Sequence, residues 1–176
     1  MEELSLIKVS MEYAEQIAEY RQELLDTGSS MDGTGMLRAI EDPQEYVKLS
    51  LEYEKNPPEG FVPATQLLLI RNSDSKLVGM IQIRHSFNEY LEKYAGHIGY
   101  CVRPSQRRKG YGRLMLKMAL PFCREIGIDK VLISCAVDNI GSERIILANG
   151  GVYESTVVEP RRNRELKRYI ISLDSL

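Results

Sequence analysis

No C-x-x-C pair occurs in this sequence, and its three cysteines, Cys101, Cys123 and Cys135, are odd in number and far apart. Neither a disulfide framework nor a zinc knuckle fits that pattern, so all three read as buried apolar side chains. Histidine is scarcer still: His85 and His97 are too few and too isolated to found a metal centre, and no metal is expected. Long hydrophobic runs are missing too. Stretches such as Leu67-Leu68-Leu69-Ile70 fall far short of the roughly 18 apolar residues that a membrane-spanning helix needs. The acidic start, Met1-Glu2-Glu3, is unlike a cationic signal peptide, and neither a Walker loop nor a G-x-G-x-x-G dinucleotide fingerprint is present. These absences point to a cytoplasmic protein with no membrane association.

What remains is an ordinary globular composition: 176 residues, 43% hydrophobic and 27% charged, enough for one domain over residues 1–176 and too short for a second full one. The net charge of −2 conceals an asymmetry, because residues 1–60 carry 5 Lys and Arg against 14 Asp and Glu, whereas residues 61–176 carry 18 against 11. An anionic ligand should therefore meet the C-terminal two thirds, while the acidic first third favours a cationic acceptor such as a polyamine, an aminoglycoside or a lysine-bearing peptide. Between Arg103 and Arg113 lie Arg107, Arg108 and Lys109 with no acidic residue. A second cluster, Arg161 to Arg168, reads as a solvated face. Net negative charge and the lack of interleaved stacking aromatics argue against nucleic-acid binding there.

Periodicity predicts strands over 4–9, 65–71, 76–84, 96–102, 130–137, 152–159 and 166–173. Helices are predicted over 11–25, from Asp42-Pro43 to about Asn56, over 110–126 with a kink at Pro121, and from a cap at Asp138 or Asn139 to Gly150. In the second helix Tyr46, Leu49 and Tyr53 share one face, and 87–95 is a tyrosine-rich insertion. Hairpins and helical crossovers together imply an α/β (α+β) layered fold on a sheet of mixed direction.

The segment Arg107-Arg108-Lys109-Gly110-Tyr111-Gly112 joins a strand to a helix. Backbone N–H groups at a helix start have no intrahelical partners, and glycines let a diphosphate come close, so the turn is a candidate anion cradle; a tight strand-to-helix turn is the plainer reading. His97-Ile98-Gly99-Tyr100-Cys101-Val102-Arg103-Pro104 followed by Arg107-x-x-Gly110-x-Gly112 resembles the acetyl-CoA motif of the GNAT superfamily of N-acetyltransferases, [QR]-x-x-G-x-[GA]. Downstream, Asp138-Asn139-Ile140-Gly141-Ser142 is similar to the family's second cofactor-contacting segment, and Asn149 to Glu154 to the turn after it.

The resemblance implies a central twisted sheet of about seven strands flanked by helices and splayed at the acetyl-CoA site. Backbone groups of Cys101 and Val102 would take the pantetheine arm. Arg107, Arg108, Lys109, Gly110, Tyr111, Gly112 and Arg113 would hold the diphosphate, with Asn139 and Ser142 reaching from the other side. It further implies transfer of acetyl from acetyl-CoA to a primary amine by direct attack, and is compatible with a homodimer. Because alkyl amines titrate near 10.4, a base or a water chain must deprotonate the acceptor. His97 is the candidate base, or else a structural hydrogen-bonding residue. Where many relatives carry an acidic tyrosine, seven residues after Asn139, this chain has Ile146. Ser142 and Tyr153 are the substitutes nearest in sequence, water is another, and a CoA-binding protein without turnover is the alternative reading.

Overall fold

The computed structural model describes residues 2–174; Met1 and the last two residues of the expected domain lie outside them. The described chain runs β1 (Leu4–Lys8), α1 (Ala14–Asp26), α2 (Pro43–Lys55), β2 (Ala64–Arg71), β3 (Lys76–Arg84), β4 (Ile98–Val102), α3 (Tyr111–Glu125), β5 (Lys130–Ala136), α4 (Ile140–Ala148), β6 (Val152–Glu159) and β7 (Arg164–Ser172), the order expected from the sequence. Local chemistry explains the helix boundaries. The Asp42 carboxylate accepts from the Gln44 N–H at 2.9 Å and Pro43 fills the first turn of α2. Tyr46 and Val47 form the buried contact of that helix, whereas Leu49 and Tyr53 are only half-buried. Helix α3 continues through Pro121, which sits on its solvent face, where the carbonyl left without a donor can meet water. The tyrosine-rich insertion ends in one π-helical turn, Leu91–Ala95.

The seven strands divide into two sheets, ordered β1-β2-β3-β4 and β5-β7-β6. Every strand ladder is antiparallel, so the expected mixing of directions within a sheet is corrected. The reason lies in the crossovers. Helix α3 carries the chain from the edge of one sheet to the edge of the other, and α4 carries it from β5 past β7 to β6, so neither joins hydrogen-bonded neighbours.

Strand alternation distributes the core between two layers. In β2, Leu67 and Leu69 join Met115, Leu116, Val131 and Ile133 beneath α3. Leu68 and Ile70 join Ile17, Tyr20, Leu24 and Tyr46 beneath α1 and α2. The three cysteines are free and buried. Among the described residues no helix is long and apolar enough to cross a membrane.

The sheets touch at one end of β4. The His97 N–H donates to the Leu132 carbonyl at 2.7 Å, the Leu132 N–H donates to His97 Nδ1 at 3.0 Å, and Gly96 forms an isolated bridge with Ile133. No ladder pairs β4 with β5 beyond this contact, and a cleft opens between them.

Candidate active site

The cleft has a volume of about 640 Å³ and is walled by β4, β5 and the N-terminal turns of α3 and α4. Both bordering strands are edges of their sheets, so half of each backbone lacks a ladder partner. The Arg103 N–H donates to the Val78 carbonyl at 2.9 Å, which fixes the phase: residues 99 and 101 turn their backbone toward β3, while 98, 100 and 102 turn theirs toward the gap. The Val102 carbonyl accordingly accepts from Arg107 Nε at 3.2 Å. Of the two expected pantetheine contacts, Val102 thus has the open backbone. Cys101 is engaged elsewhere: its carbonyl accepts from the Tyr20 hydroxyl at 2.8 Å, and burial pushes its thiol up to about 12.

At the cleft mouth the chain turns sharply through Arg108 (φ +63°) and Gly110 (φ +84°), and no side chain caps the helix that follows. The first-turn N–H groups of α3 are therefore unclaimed by a cap, with Arg107, Arg108, Gly110, Tyr111, Gly112 and Arg113 lining the space in front of them. A Cβ on Gly110 would meet nothing within 4 Å, so the backbone conformation and not crowding calls for glycine there. Gly112 serves differently. A Cβ on it would stand 2.7 Å from Ile145 Cδ1, so its absence lets α4 pack close to α3.

Tyr111 contributes backbone only, because its hydroxyl bonds Glu2 and Arg71 behind the loop. Lys109 does not line the cleft; its ammonium donates to Gln106 Oε1 at 3.0 Å. Across the gap Asn139, and not Asp138, caps α4, its Oδ1 accepting the Ser142 N–H at 3.1 Å. Ser142 Oγ lies 2.7 Å from the Tyr100 hydroxyl, which burial pushes well above its ordinary titration range.

The other two catalytic candidates lie off this wall. His97 is 8% exposed, its Nδ1 is occupied by the Leu132 N–H, and its ring sits 4.1 Å from that of Phe87. Burial, assisted by the nearby Arg84 charge, lowers its pKa to about 4. Tyr153 is 55% exposed on β6, with its hydroxyl 2.8 Å from Thr156 Oγ1. It lines a separate depression with Leu120 and Asn149, because β7 stands between β6 and the cleft. Ile146 is fully buried in the core. The loops 28–35 and 87–95, where the family resemblance implies acceptor pockets, supply Asp32 and Tyr90 to the cleft; sequence reasoning missed Arg84, at a strand end, and Arg164, within the cluster read as a solvated face, which also line it.

Two splayed edge strands with an uncapped helix start at their mouth thus form an open groove lined by backbone amides and arginines. A model of the acetyltransferase (GNAT) family matches residues 32–148, and the chain belongs to that family, whose members are acyl-CoA-dependent N-acetyltransferases with acetyl-CoA as cosubstrate. Solved structures agree in fold. A ribosomal L7/L12 alpha-N-protein acetyltransferase in complex with coenzyme A superposes with a TM-score of 0.74 at 16% identity, covering 98% of this chain and 96% of that one. The ribosomal-protein-S5-alanine acetyltransferase of Vibrio fischeri gives 0.75 at 14% identity, covering 99% and 96%. A microcin C7 self-immunity acetyltransferase, solved with acetyl-CoA and AMP, gives 0.71 at 20% identity, covering 97% and 93%. No curated protein sequence matches the chain.

Proposed function

We propose that residues 1–176 form a single N-acetyltransferase domain of the cytoplasm that moves the acetyl group of acetyl-CoA to a primary amine by direct attack. The observation that carries this reading is the uncapped start of α3 facing a gap bordered by the open backbone of β4. First-turn N–H groups and Arg107, Arg108 and Arg113 suit a diphosphate, by partial positive charge and by guanidinium pairing. Val102 offers strand-like backbone bonds to the pantetheine amides, and its N–H, with that of Tyr100, points into the gap where a developing oxyanion can be stabilised.

Among the three catalytic candidates only Ser142 lies in the cleft. Paired with Tyr100, it can deliver a proton to the departing thiolate. A His97 side chain titrating at about 4 is a weak base for an amine at neutral pH, and its Nδ1 is already taken, so we assign it to joining the sheets. The acceptor then loses its proton to water in the open cleft. Structural relatives are named for different amines, spermidine in one and ribosomal-protein N-termini in others. The shared requirement is a primary amine.

Calorimetric titration with acetyl-CoA and a thiol-release assay over a panel of amines test the proposal together. Binding with turnover of at least one amine is expected. Tight binding with no turnover on any amine would establish the CoA-binding protein instead, a reading to which buried Ile146 lends weight by supplying no acid.

A further inference from the structure

The cleft has a second wall, opposite α3 and α4. Alternation sends Ile98, Tyr100 and Val102 to the α3 layer, and Gly99 and Cys101 to the α1 layer. In β3, Ile83 belongs to the α3 layer, so Arg84 faces the other way. In β7, Tyr169 and Ile171 belong to the α3 layer, so Arg164 and Leu166 do likewise. Arg84 Nη1 donates to the Gly96 carbonyl at 3.2 Å, which anchors the guanidinium, while its Nη2 lies 3.2 Å from where a Cβ of Gly99 would stand. The cation therefore lies over the middle of β4. The Arg84 hydrogen bonds run from Nη1, to the Ala95 and Gly96 carbonyls, and Arg164 Nε is buried without a hydrogen-bond partner.

This wall is rigidly built. Glu159, with no exposed surface, accepts the backbone N–H groups of Arg161 at 2.9 Å and Arg162 at 3.0 Å and pairs with the Tyr90 hydroxyl, while the Arg161 guanidinium stacks 3.8 Å above the Tyr90 ring. The turn leading into Arg164 is thereby tied to the Tyr90 segment. Despite the acidity of the first sixty residues, their only carboxylate lining the cleft is Asp32, at the exposed rim. Asp32 offsets part of the Arg84 charge and buried Glu159 part of that of Arg164, yet Arg164 Nε keeps no hydrogen-bond partner. Desolvated cations of this kind are stabilised by an anion that completes their hydrogen bonds.

We infer that this wall is the acceptor subsite and that it takes a small primary amine whose skeleton also carries a carboxylate or phosphate, the anion engaging Arg84 and Arg164. The inference rests on the acetyltransferase reading above. A cavity of about 640 Å³ must also admit the acyl end of the cosubstrate, which limits the acceptor to a small molecule or a chain end. A polyamine, cationic along its length, meets the wrong charge here.

The test is a thiol-release assay with free amino acids and phosphoamines, each beside its uncharged amide or alcohol counterpart, with spermidine as the cationic comparator. The carboxylate and phosphate arms separate the two anion sources. Acidic members should exceed their neutral partners in kcat/KM by about tenfold or more, the ratio one charge-assisted pair supplies. Arg164→Gln, checked by thermal melting, should erase that preference and leave acetyl-CoA affinity unchanged. The inference is overturned by preference for neutral amines or spermidine, by an acid preference that survives in Arg164→Gln, or by no acidic amine being turned over in protein that binds acetyl-CoA. Failure of the wild-type protein to bind acetyl-CoA would overturn the acetyltransferase reading itself.

Discussion

The two walls of the cleft present polar groups of different kinds. On the α3 side the donors are consecutive backbone amides between Arg108 and Arg113, held by one sharp turn at the start of one helix. On the α1 side the polar groups are side chains, the donors Arg84, Tyr90 and Arg164 and the acceptor Asp32, delivered by a strand end, the residue before a π-helical turn, a second strand and a loop. A backbone cradle depends on conformation and tolerates exchange of most side chains around it. A side-chain wall depends on the identity of each residue and can be retuned one position at a time. The division suits an enzyme whose donor is constant and whose acceptor is particular to it.

The strongest way to break this comparison is Gly110→Asp. An aspartate at the helix cap would place a carboxylate on the first-turn amides and occupy the field intended for a diphosphate. Acetyl-CoA affinity should fall about a hundredfold or more by calorimetry, a loss of about 3 kcal/mol. The fold should survive, since a Cβ there has open space and the left-handed backbone costs about 1–2 kcal/mol. Unchanged affinity in a folded variant would remove the cradle from the α3 wall.

Next in size is a pH effect at the joint between the sheets. His97 titrates at about 4 in the folded protein against an ordinary 6.5, so between these values the unfolded chain binds more protons and stability must decline as pH falls. About 2–3 kcal/mol should be lost from pH 6.5 down to 4, measured by denaturant melts, and His97→Gln should flatten that slope. Activity per folded molecule should keep its pH profile in the variant. If the acidic limb vanishes instead, His97 is the base.

A smaller effect tests the independence of the walls. Gly33 has φ +74°, and a Cβ on it would fall 2.2 Å from the Gly99 carbonyl oxygen. Gly33→Val should lift the loop carrying Asp32 off β4 and reduce kcat/KM for the best acceptor about tenfold, mainly through KM. Acetyl-CoA affinity should stay within about twofold, because backbone donors on the far wall are untouched. A parallel loss of cofactor binding would show the walls to be one unit.

The smallest expected change concerns proton delivery. Tyr100→Phe and Ser142→Ala should each lower kcat about three- to tenfold, and the double variant should lose little more than either alone, as members of one relay do. Single variants at wild-type kcat would leave the thiolate to water.

The same contrast governs what the sequence reveals. The Asp42-Pro43 helix start, the glycine turn at Gly110 and the Asn139 cap are local events, and their residues announce them. The α1 wall is not local: Arg84 and Arg164 stand eighty positions apart and meet only through the arrangement of β3, β4, β5 and β7. His97 shows the limit clearly. Alternation allows it to face either layer, and its role is decided by Leu132, whose N–H occupies the very nitrogen a base would use. Tyr153 follows α4 closely in sequence, yet β7 is inserted between β5 and β6 and carries it one strand beyond the cleft. Division into two sheets likewise depends on where crossovers land, which hydrophobic periodicity does not encode.

The raw edges of β4 and β5 have a consequence for the behaviour of the protein in bulk. Beyond the His97–Leu132 joint each lacks a ladder partner, the kind of template on which chains aggregate, and here two such edges face each other across an open mouth. A strand-like pantetheine seated between them, with its two amides, would bridge the two half-sheets and cover part of that seam. Bound cosubstrate would then also shield its own enzyme from association, and the shelf life of the protein in concentrated solution should lengthen as acyl-CoA is added.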